Sequence, residues 1–148
     1  MRRRTALAVA MALALGGCGL SIPTDPDGTL DRVRSSEVLH VGASPRDGWV
    51  EIGDGAPGGR EAELVTAYAD HLGARVEWIV AGEEQIVALL DEGDLDIAVG
   101  GFTEDNAWVD EVGLTRPYTG THVVMVRMGE NALQSDLEQW LDRNGGVP

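Results

Sequence analysis

The feature that most constrains the fold is a regular alternation of strand-like and helix-like segments along residues 38–99. Three short segments that are apolar, or that alternate polar and apolar residues, predict strands at residues 38–41, 75–80 and 95–99. Two longer segments with apolar residues at helical spacing and a glycine at the end predict helices at residues 61–72 and 83–92. This order indicates parallel strands joined by right-handed crossovers.

Two more helices are predicted on either side of this region. One is a short helix that begins at Thr29, which we expect to cap it, and the other is a closing helix at residues 132–143. The chain of 148 residues, 43% of them apolar, is long enough for one domain with a buried core. We therefore expect an α/β fold of three layers, with a mainly parallel sheet of about four to five strands and helices on both faces.

Acidic residues outnumber basic ones by 25 to 11, and the formal net charge is −14. Such a charge argues against nucleic acid and anionic lipid as direct partners. The chain has no lysine, and its one cysteine, Cys18, has no partner for an internal disulfide. No spacing of cysteine and histidine suggests zinc, so we expect neither a metal nor a cofactor.

The N-terminus has the pattern of an export signal, with arginines at positions 2–4, an apolar segment at residues 5–15 and small residues before Cys18. Leu-Gly-Gly-Cys resembles the bacterial lipoprotein box, which implies removal of residues 1–17 and lipidation of Cys18. The alternative is an ordinary secretory signal with an incidental cysteine. We expect residues 18–28 to be the lipidated end and a flexible tether, and residues 29–148 to be the folded part.

Ligand sites of open α/β sheets lie outside the carboxyl ends of the strands, so residues 94–118 are the first place to look for one. Gly100 and Gly101 follow the third predicted strand and let the backbone turn sharply. Phe102 and Thr103 come next. This turn is the predicted ligand site.

Four segments together resemble the bacterial extracellular solute-binding proteins of the amino-acid-binding type (family 3). They are TLDRVRSSEVLHVGAS, HLGARVEW, LLDEGDLDIAVGGFT and RPYTGTHVVMVR, and they stand in the family's order and spacing between residues 29 and 127. The resemblance implies the type II periplasmic-binding-protein fold, in which two lobes joined by a hinge trap a ligand between them.

The sequence departs from this family where the second lobe should begin. After Arg127 the chain passes directly to the closing helix, which resembles the segment that returns to lobe one in full-length members. We expect that lobe two has been excised near residues 125–129, leaving a single lobe. A truncated gene product is the alternative.

A second departure lies in the turn after the third strand, where the family has two hydroxyl residues and an arginine that holds the ligand's α-carboxylate. Thr103 matches the first hydroxyl, but Asp105 and Trp108 stand at the other two positions. The resemblance therefore implies a neutral or cationic ligand, because an indole and a carboxylate favour such groups. One alternative is that Trp108 packs in the core with Val109 and Val112. Another is that Asp105 caps a short helix.

Other candidates follow the first and third strands. Trp49 occupies roughly the place where the family has an aromatic side chain that stacks on the ligand, although a mobile loop is the alternative. Arg46 is a candidate partner for a carboxylate, with a solvated ion pair to Asp47 as the alternative. The predicted ligand-binding residues are Ser44, Trp49, Phe102, Thr103, Asp105, Trp108 and Tyr118.

The sequence gives catalysis little support, because it has no nucleophile elbow, zinc-protease motif or phosphate loop. His40 and His122 fall in strands and are expected to pack rather than to bind. The acids at residues 91–96 do not match a calcium loop and indicate a solvated turn. We expect Arg116 to form a structural salt bridge.

We therefore predict a lipid-anchored, non-catalytic substrate-binding component related to the amino-acid-binding proteins of ABC transporters, held at the outer face of a bacterial membrane. Its ligand, if one is bound, is expected to be small and neutral or cationic. The alternative is an interaction module that docks on a membrane permease or sensor and needs no ligand. Contact with the membrane is expected through the lipid anchor only.

Overall fold

The computed structural model describes residues 25–145. Within them the chain forms, in order, α1 (Thr29–Ser36), β1 (Val38–Ala43), α2 (Arg60–Leu72), β2 (Arg75–Val80), α3 (Glu83–Glu92), β3 (Ile97–Val99), β4 (Gly113–Leu114), β5 (Met125–Val126) and α4 (Asn131–Asn144). The strands form one five-stranded sheet in the order β2-β1-β3-β5-β4.

The strand pairs toward the β2 edge of the sheet are parallel, and those toward the β4 edge are antiparallel. β1 runs parallel to both β2 and β3, with Val41 opposite Ile97 and Ala43 opposite Val99. β5 runs antiparallel to both β3 and β4. The predicted α/β class is confirmed, and the sheet is mixed because β5 runs opposite to the other strands.

Apolar side chains point to alternate faces of the strands and build two cores, one on each face of the sheet. One core joins α1, α2 and α4 to the face that carries Val41 and Ile97. The other core joins α3 to the opposite face, where Ile86 packs near Ala98. Helices therefore cover both faces of the sheet, as the sequence predicts.

The bounds of the helices and of β1 to β3 agree with the prediction to within two residues. α2 and α3 end at Gly73 and Gly93, as predicted. The expectation that Thr29 caps α1 is wrong. Gly28 is the N-cap residue, and the Thr29 N–H donates to the carboxylate of Glu130 instead.

The stretch between β3 and β4 is the main departure from the prediction. Here the described chain makes successive turns rather than a helix, and the side-chain oxygen of Asn106 accepts the Trp108 N–H. The alternative in which Asp105 caps a short helix is therefore wrong. Trp108 does pack, partly buried, against the core that contains Val112, but Val109 is 48% exposed and takes no part in it.

Two charged residues have partners other than those expected. Asp96 is only 2% exposed, and its carboxylate accepts hydrogen bonds from Arg32 and from the His40 N–H, so it does not belong to a solvated turn. Arg46 pairs with Glu83 at 3.3 Å rather than with its neighbour in the chain. In residues 25–145, no three His, Cys, Asp or Glu side chains are grouped so as to hold a metal ion.

Arg116 forms the predicted structural salt bridge. Its guanidinium lies 3.3 Å from Glu138 and 2.7 Å from Asp142. Both acids are on α4, and Arg116 follows β4. The ion pairs therefore connect the closing helix to the edge of the sheet.

The N-terminal turn at residues 25–28 is attached to the residues that precede α4. Glu130 is buried, and its carboxylate accepts the N–H groups of Asp27 and Thr29. Arg127 forms an ion pair with Asp27. These contacts join the turn ahead of α1 to the segment before α4.

The predicted signal peptide at residues 1–17, the lipidation of Cys18 and most of the tether lie outside the described residues. Among the helices of the described part, none combines the length and the apolar character needed to cross a bilayer.

Candidate functional site

A buried carboxylate holds the glycine turn that follows β3. Glu61, at the start of α2, is fully buried, and its Oε2 accepts the N–H groups of Gly100 and Gly101 at 2.8 and 2.7 Å. Its Oε1 accepts the hydroxyl of Tyr118 at 2.5 Å. One side chain thus joins α2, the turn after β3 and the segment that follows β4.

The electrostatics of this cluster follow from its burial. Burial raises the pKa of Glu61, while the hydrogen bonds donated by Tyr118, Gly101 and Gly100 act to lower it. Burial and the adjacent Glu61 carboxylate raise the pKa of the Tyr118 phenol, which therefore remains a donor. Because three donors already occupy the carboxylate, its role is to hold the turn.

The backbone before α2 sets Glu61 beside Trp49. Gly59 has a φ of 88°, and a Cβ at this position would lie 2.8 Å from the carbonyl oxygen of Trp49. Only glycine fits such a conformation and such a close approach. The Glu61 N–H donates to the same carbonyl at 3.0 Å, which fixes the loop after β1 against the start of α2.

The indole of Trp49 lies half-buried beside the glycine turn. Its ring stacks on the imidazole of His122 with centroids 3.7 Å apart, and the guanidinium carbon of Arg60 lies 5.2 Å from the ring centroid. Gly101 comes so close that a Cβ there would be 3.0 Å from the indole. An indole in this setting offers a π surface to flat or cationic groups.

Ser44 and Phe102 support the turn from the inside. Ser44 is buried and donates its N–H to the carbonyl of Val99, and Phe102 is buried in the core that contains α3. A Cβ on Gly100 would lie 2.7 Å from the Ser44 Cβ and 2.9 Å from the Phe102 ring. Glycine is therefore needed at this position for the two side chains to pack.

Thr103 and Asp105 lie on the outer side of the same turn. The hydroxyl of Thr103 donates to Oδ1 of Asp105 at 2.7 Å, and Asp105 is exposed. In this structure the threonine that matches the family's hydroxyl position therefore binds the acid two residues later.

Trp108 faces α3. Its indole N–H donates to Glu83 at 3.3 Å, and the other oxygen of Glu83 accepts a hydrogen bond from Arg46. Arg46 in turn donates its Nε–H to the Gly100 carbonyl at 3.3 Å. Trp108 also lines a surface cavity of about 510 Å³, whose lining includes none of the other predicted ligand-binding residues.

The structure divides the predicted ligand-binding residues among three places. The residues around the glycine turn are Ser44, Trp49, Phe102 and Tyr118; those on its outer side are Thr103 and Asp105; the one against α3 is Trp108. Glu61 and Arg60 are not indicated by the sequence pattern, and His122 is expected from it only to pack. An acid two residues after a glycine pair is only a weak signal for Glu61, because Glu63 stands two residues later in the same helix.

The chain is similar in sequence to one bacterial protein family and to curated proteins of Vibrio. The model of the bacterial extracellular solute-binding proteins, family 3, matches residues 39–143. The membrane-bound lytic murein transglycosylase F of Vibrio campbellii is 29% identical over 103 residues, which are 69% of this chain and 19% of that protein. The protein of the same name from Vibrio vulnificus is 30% identical over 97 residues, 65% of this chain and 18% of that protein. The chain thus spans less than a fifth of these curated relatives.

Solved structures match the fold more completely. The arginine-bound form of domain 1 from TmArgBP has a TM-score of 0.68 and 20% identity, covering 76% of this chain and 98% of that domain. An ancestral cationic amino acid solute-binding protein has a TM-score of 0.56 and 27% identity, covering 62% of this chain and 41% of that one. Residues 25–145 therefore have the fold of a single lobe.

Proposed function

Because the chain belongs to the bacterial extracellular solute-binding proteins, family 3, we propose that it is a non-catalytic binding component of the cell envelope. A lipid on Cys18 anchors it to the outer face of a bacterial membrane. The crevice at the carboxyl ends of β1 and β3 binds a small neutral or cationic solute, with an amino acid as the first class to test.

The position of Trp49 carries this proposal. Its indole is only partly buried and stacks on His122. It follows the carboxyl end of β1, where ligand sites of α/β folds occur. The exposed side chain of Arg60 already holds its guanidinium 5.2 Å from the ring centroid. The indole accepts a cation in this setting, so a cationic ligand group can take the place of the arginine.

A single lobe of this size supports ligand binding in a related fold. Domain 1 from TmArgBP, matched over 98% of its length, is described in an arginine-bound form. One lobe contacts about half of a ligand that two lobes would enclose. If two lobes bind with a dissociation constant of about 1 μM, we expect about 1 mM for one lobe.

Binding rather than catalysis is proposed although the curated relatives are named as murein transglycosylases. The matched segment makes up 19% of the Vibrio campbellii protein. In the present chain, the buried carboxylate that holds the glycine turn is Glu61, and three hydrogen-bond donors occupy it. Such a group is poorly placed to exchange a proton with a substrate.

A second candidate function is a ligand-independent module that docks on a membrane permease or sensor. The relatives named membrane-bound lytic murein transglycosylase F support it, since in them a similar segment is part of a longer protein. In this function the lobe contributes a surface rather than a solute site.

A thermal-shift screen of the full chain against arginine, other amino acids, polyamines and sugars tests the first function. At about 10 mM of a ligand with a dissociation constant near 1 mM, the free energy of unfolding rises by about 1.4 kcal/mol and the Tm by about 5 °C. We expect Trp49→Ala to lose this response and Trp78→Ala, a change on the edge strand β2, to keep it.

The outcome separates the two functions. A saturable rise in Tm that depends on Trp49 supports the solute-binding function. No rise with any solute, together with a membrane protein recovered by cross-linking in cells, would support the docking function instead.

A further inference from the structure

A second concave surface lies between α3 and the turns that precede β4. It encloses about 510 Å³, within the range of about 300–1,000 Å³ that is usual for ligand pockets. Its apolar part is formed by Val87 on α3, the indole of Trp108 and the side chain of Met128. We call this surface, between α3, Trp108 and Met128, the α3 groove.

Four carboxylates surround the apolar part of the groove: Glu84, Asp91, Asp110 and Glu111. All four are exposed. Within residues 25–145, every ion pair of the structure involves other acids, so none of the four is neutralised by a cation. Four like charges around one cavity create a negative potential that attracts cationic groups.

The groove also presents apolar surface. Met128, which lines the groove, is 53% exposed, and the indole of Trp108 is partly exposed. A metal ion or a polyamine would neutralise the carboxylates but leave these side chains in water. A peptide segment with an apolar side chain between basic ones would cover the apolar surface and meet the carboxylates at once.

We propose that the α3 groove is a docking site for a basic amphipathic segment of a partner protein, in which arginine or lysine side chains flank an apolar one. The apolar side chain packs on Val87, Trp108 and Met128, and the cations pair with the surrounding carboxylates. The inference is independent of what the crevice beside Trp49 binds, and it holds for either proposed function.

Fluorescence anisotropy of the full chain with a short labelled peptide of alternating arginine and leucine tests this proposal. We expect saturable binding that weakens with added salt. Combining Glu84→Gln, Asp91→Asn, Asp110→Asn and Glu111→Gln should weaken binding about tenfold, because each exposed ion pair contributes a small factor. Met128→Ser alone should weaken it about threefold.

Matched controls separate the groove from the general acidity of the chain. Asp31→Asn, Glu37→Gln, Asp47→Asn and Asp54→Asn together remove the same charge from exposed positions that do not line the groove. Ile52→Ser changes another exposed apolar side chain, 44% exposed. We expect both control proteins to bind the peptide as the unchanged chain does.

Three results would overturn the proposal. The first is an equal loss of affinity in the control with four distant acids neutralised, which would mean attraction to net charge alone. The second is equal affinity for a peptide of alternating arginine and serine, which would mean that the apolar surface takes no part. The third is no binding at low salt.

Discussion

At the scale of single residues, Glu61 is the side chain on which the candidate site most depends. It is buried, it lies 39 positions before Gly100 in the chain, and it accepts hydrogen bonds from two backbone N–H groups and one phenol. Hydrogen bonds to a charged group in the interior are stronger than those at the surface. The glycine turn therefore depends on a residue that is distant in sequence.

Replacing Glu61 should destabilise the protein. Glu61→Ala leaves the N–H groups of Gly100 and Gly101 without an acceptor, and we expect the free energy of unfolding to fall by about 3 kcal/mol. Glu61→Gln keeps one acceptor oxygen and should cost less. Urea denaturation measures both, with Glu63→Gln on the exposed side of α2 as the control. A loss in Glu61→Ala no larger than that in the control would show that the turn does not need the carboxylate.

Asp25 is the residue whose ionisation should be visible in the stability of the fold. Burial, with the hydrogen bond to Glu130 and its charge, raises the pKa of Asp25 from 3.8 to about 6. Burial acts to raise the pKa of Glu130 as well, but hydrogen bonds from Asp25, Thr29 and Asp27 lower it below its usual 4.5. The two carboxyl groups thus share one proton at mildly acidic pH.

The pH dependence of the free energy of unfolding follows from the directions of these pKa shifts. The folded state holds the Asp25 proton more tightly than the unfolded chain, so this stabilisation is complete below pH 3.8 and is lost as the pH rises through about 6. The contribution of Glu130 has the opposite sign and is lost only as the pH falls below 4.5. The raised pKa of Glu61 acts in the same direction as that of Asp25. Between pH 4.5 and about 6, stability should therefore decrease as the pH rises.

Asp25→Asn tests this assignment. The variant cannot titrate at residue 25, so its free energy of unfolding should change less between pH 4.5 and about 6 than that of the unchanged chain. Asp54→Asn, in the exposed loop before α2, is the control and should keep the original slope. Identical slopes in all three proteins would exclude Asp25 as the titrating group.

At the scale of elements, α4 closes the lobe by apolar packing more than by charge. Leu137 on α4 is 2% exposed in the core shared with α1 and α2. We expect Leu137→Ala to lower the free energy of unfolding by about 3 kcal/mol, through lost burial and a residual cavity. Arg116→Ala, which removes exposed ion pairs to α4, should cost at most about 1 kcal/mol. Denaturant titrations that rank the two variants in the reverse order would contradict this view.

The helices and strands in which apolar residues recur at a regular spacing were predictable from sequence, and those without such a spacing were not. α2 and α3 carry apolar residues at helical spacing and stop at Gly73 and Gly93, where the structure also ends them. β4 has only two residues, and its pairing with β5 depends on contacts that no local pattern encodes. Trp108 and Val112 have the spacing of one helical turn. The hydrogen bonds from the Trp108 N–H to the Asn106 side chain and from its indole N–H to Glu83 favour turns instead.

The candidate site was predictable to a similar degree. Trp49 and Tyr118 both follow strands. Because ligands bind at the carboxyl ends of parallel strands, both residues were expected at the same end of the sheet. Glu61 was not predictable, because its burial requires the N–H groups of Gly100 and Gly101 to face it across the fold. Sequence spacing gives no measure of such a contact.

At the scale of the whole molecule, residues 25–145 form one lobe in which two cores enclose a five-stranded sheet. This lobe offers a surface around Trp49 and, apart from it, the α3 groove. The proposed function therefore requires that one lobe bind a solute by itself, with the weak affinity that half of the usual contacts provide.

Isothermal titration of the full chain with arginine, then with other amino acids and polyamines, measures this requirement directly. We predict saturable binding of one solute per chain, with a dissociation constant of about 1 mM. Trp49→Ala should abolish the heat of binding, and Trp78→Ala should preserve it. If no solute gives a saturable heat of binding at a concentration of about 10 mM, solute binding by this lobe would be contradicted.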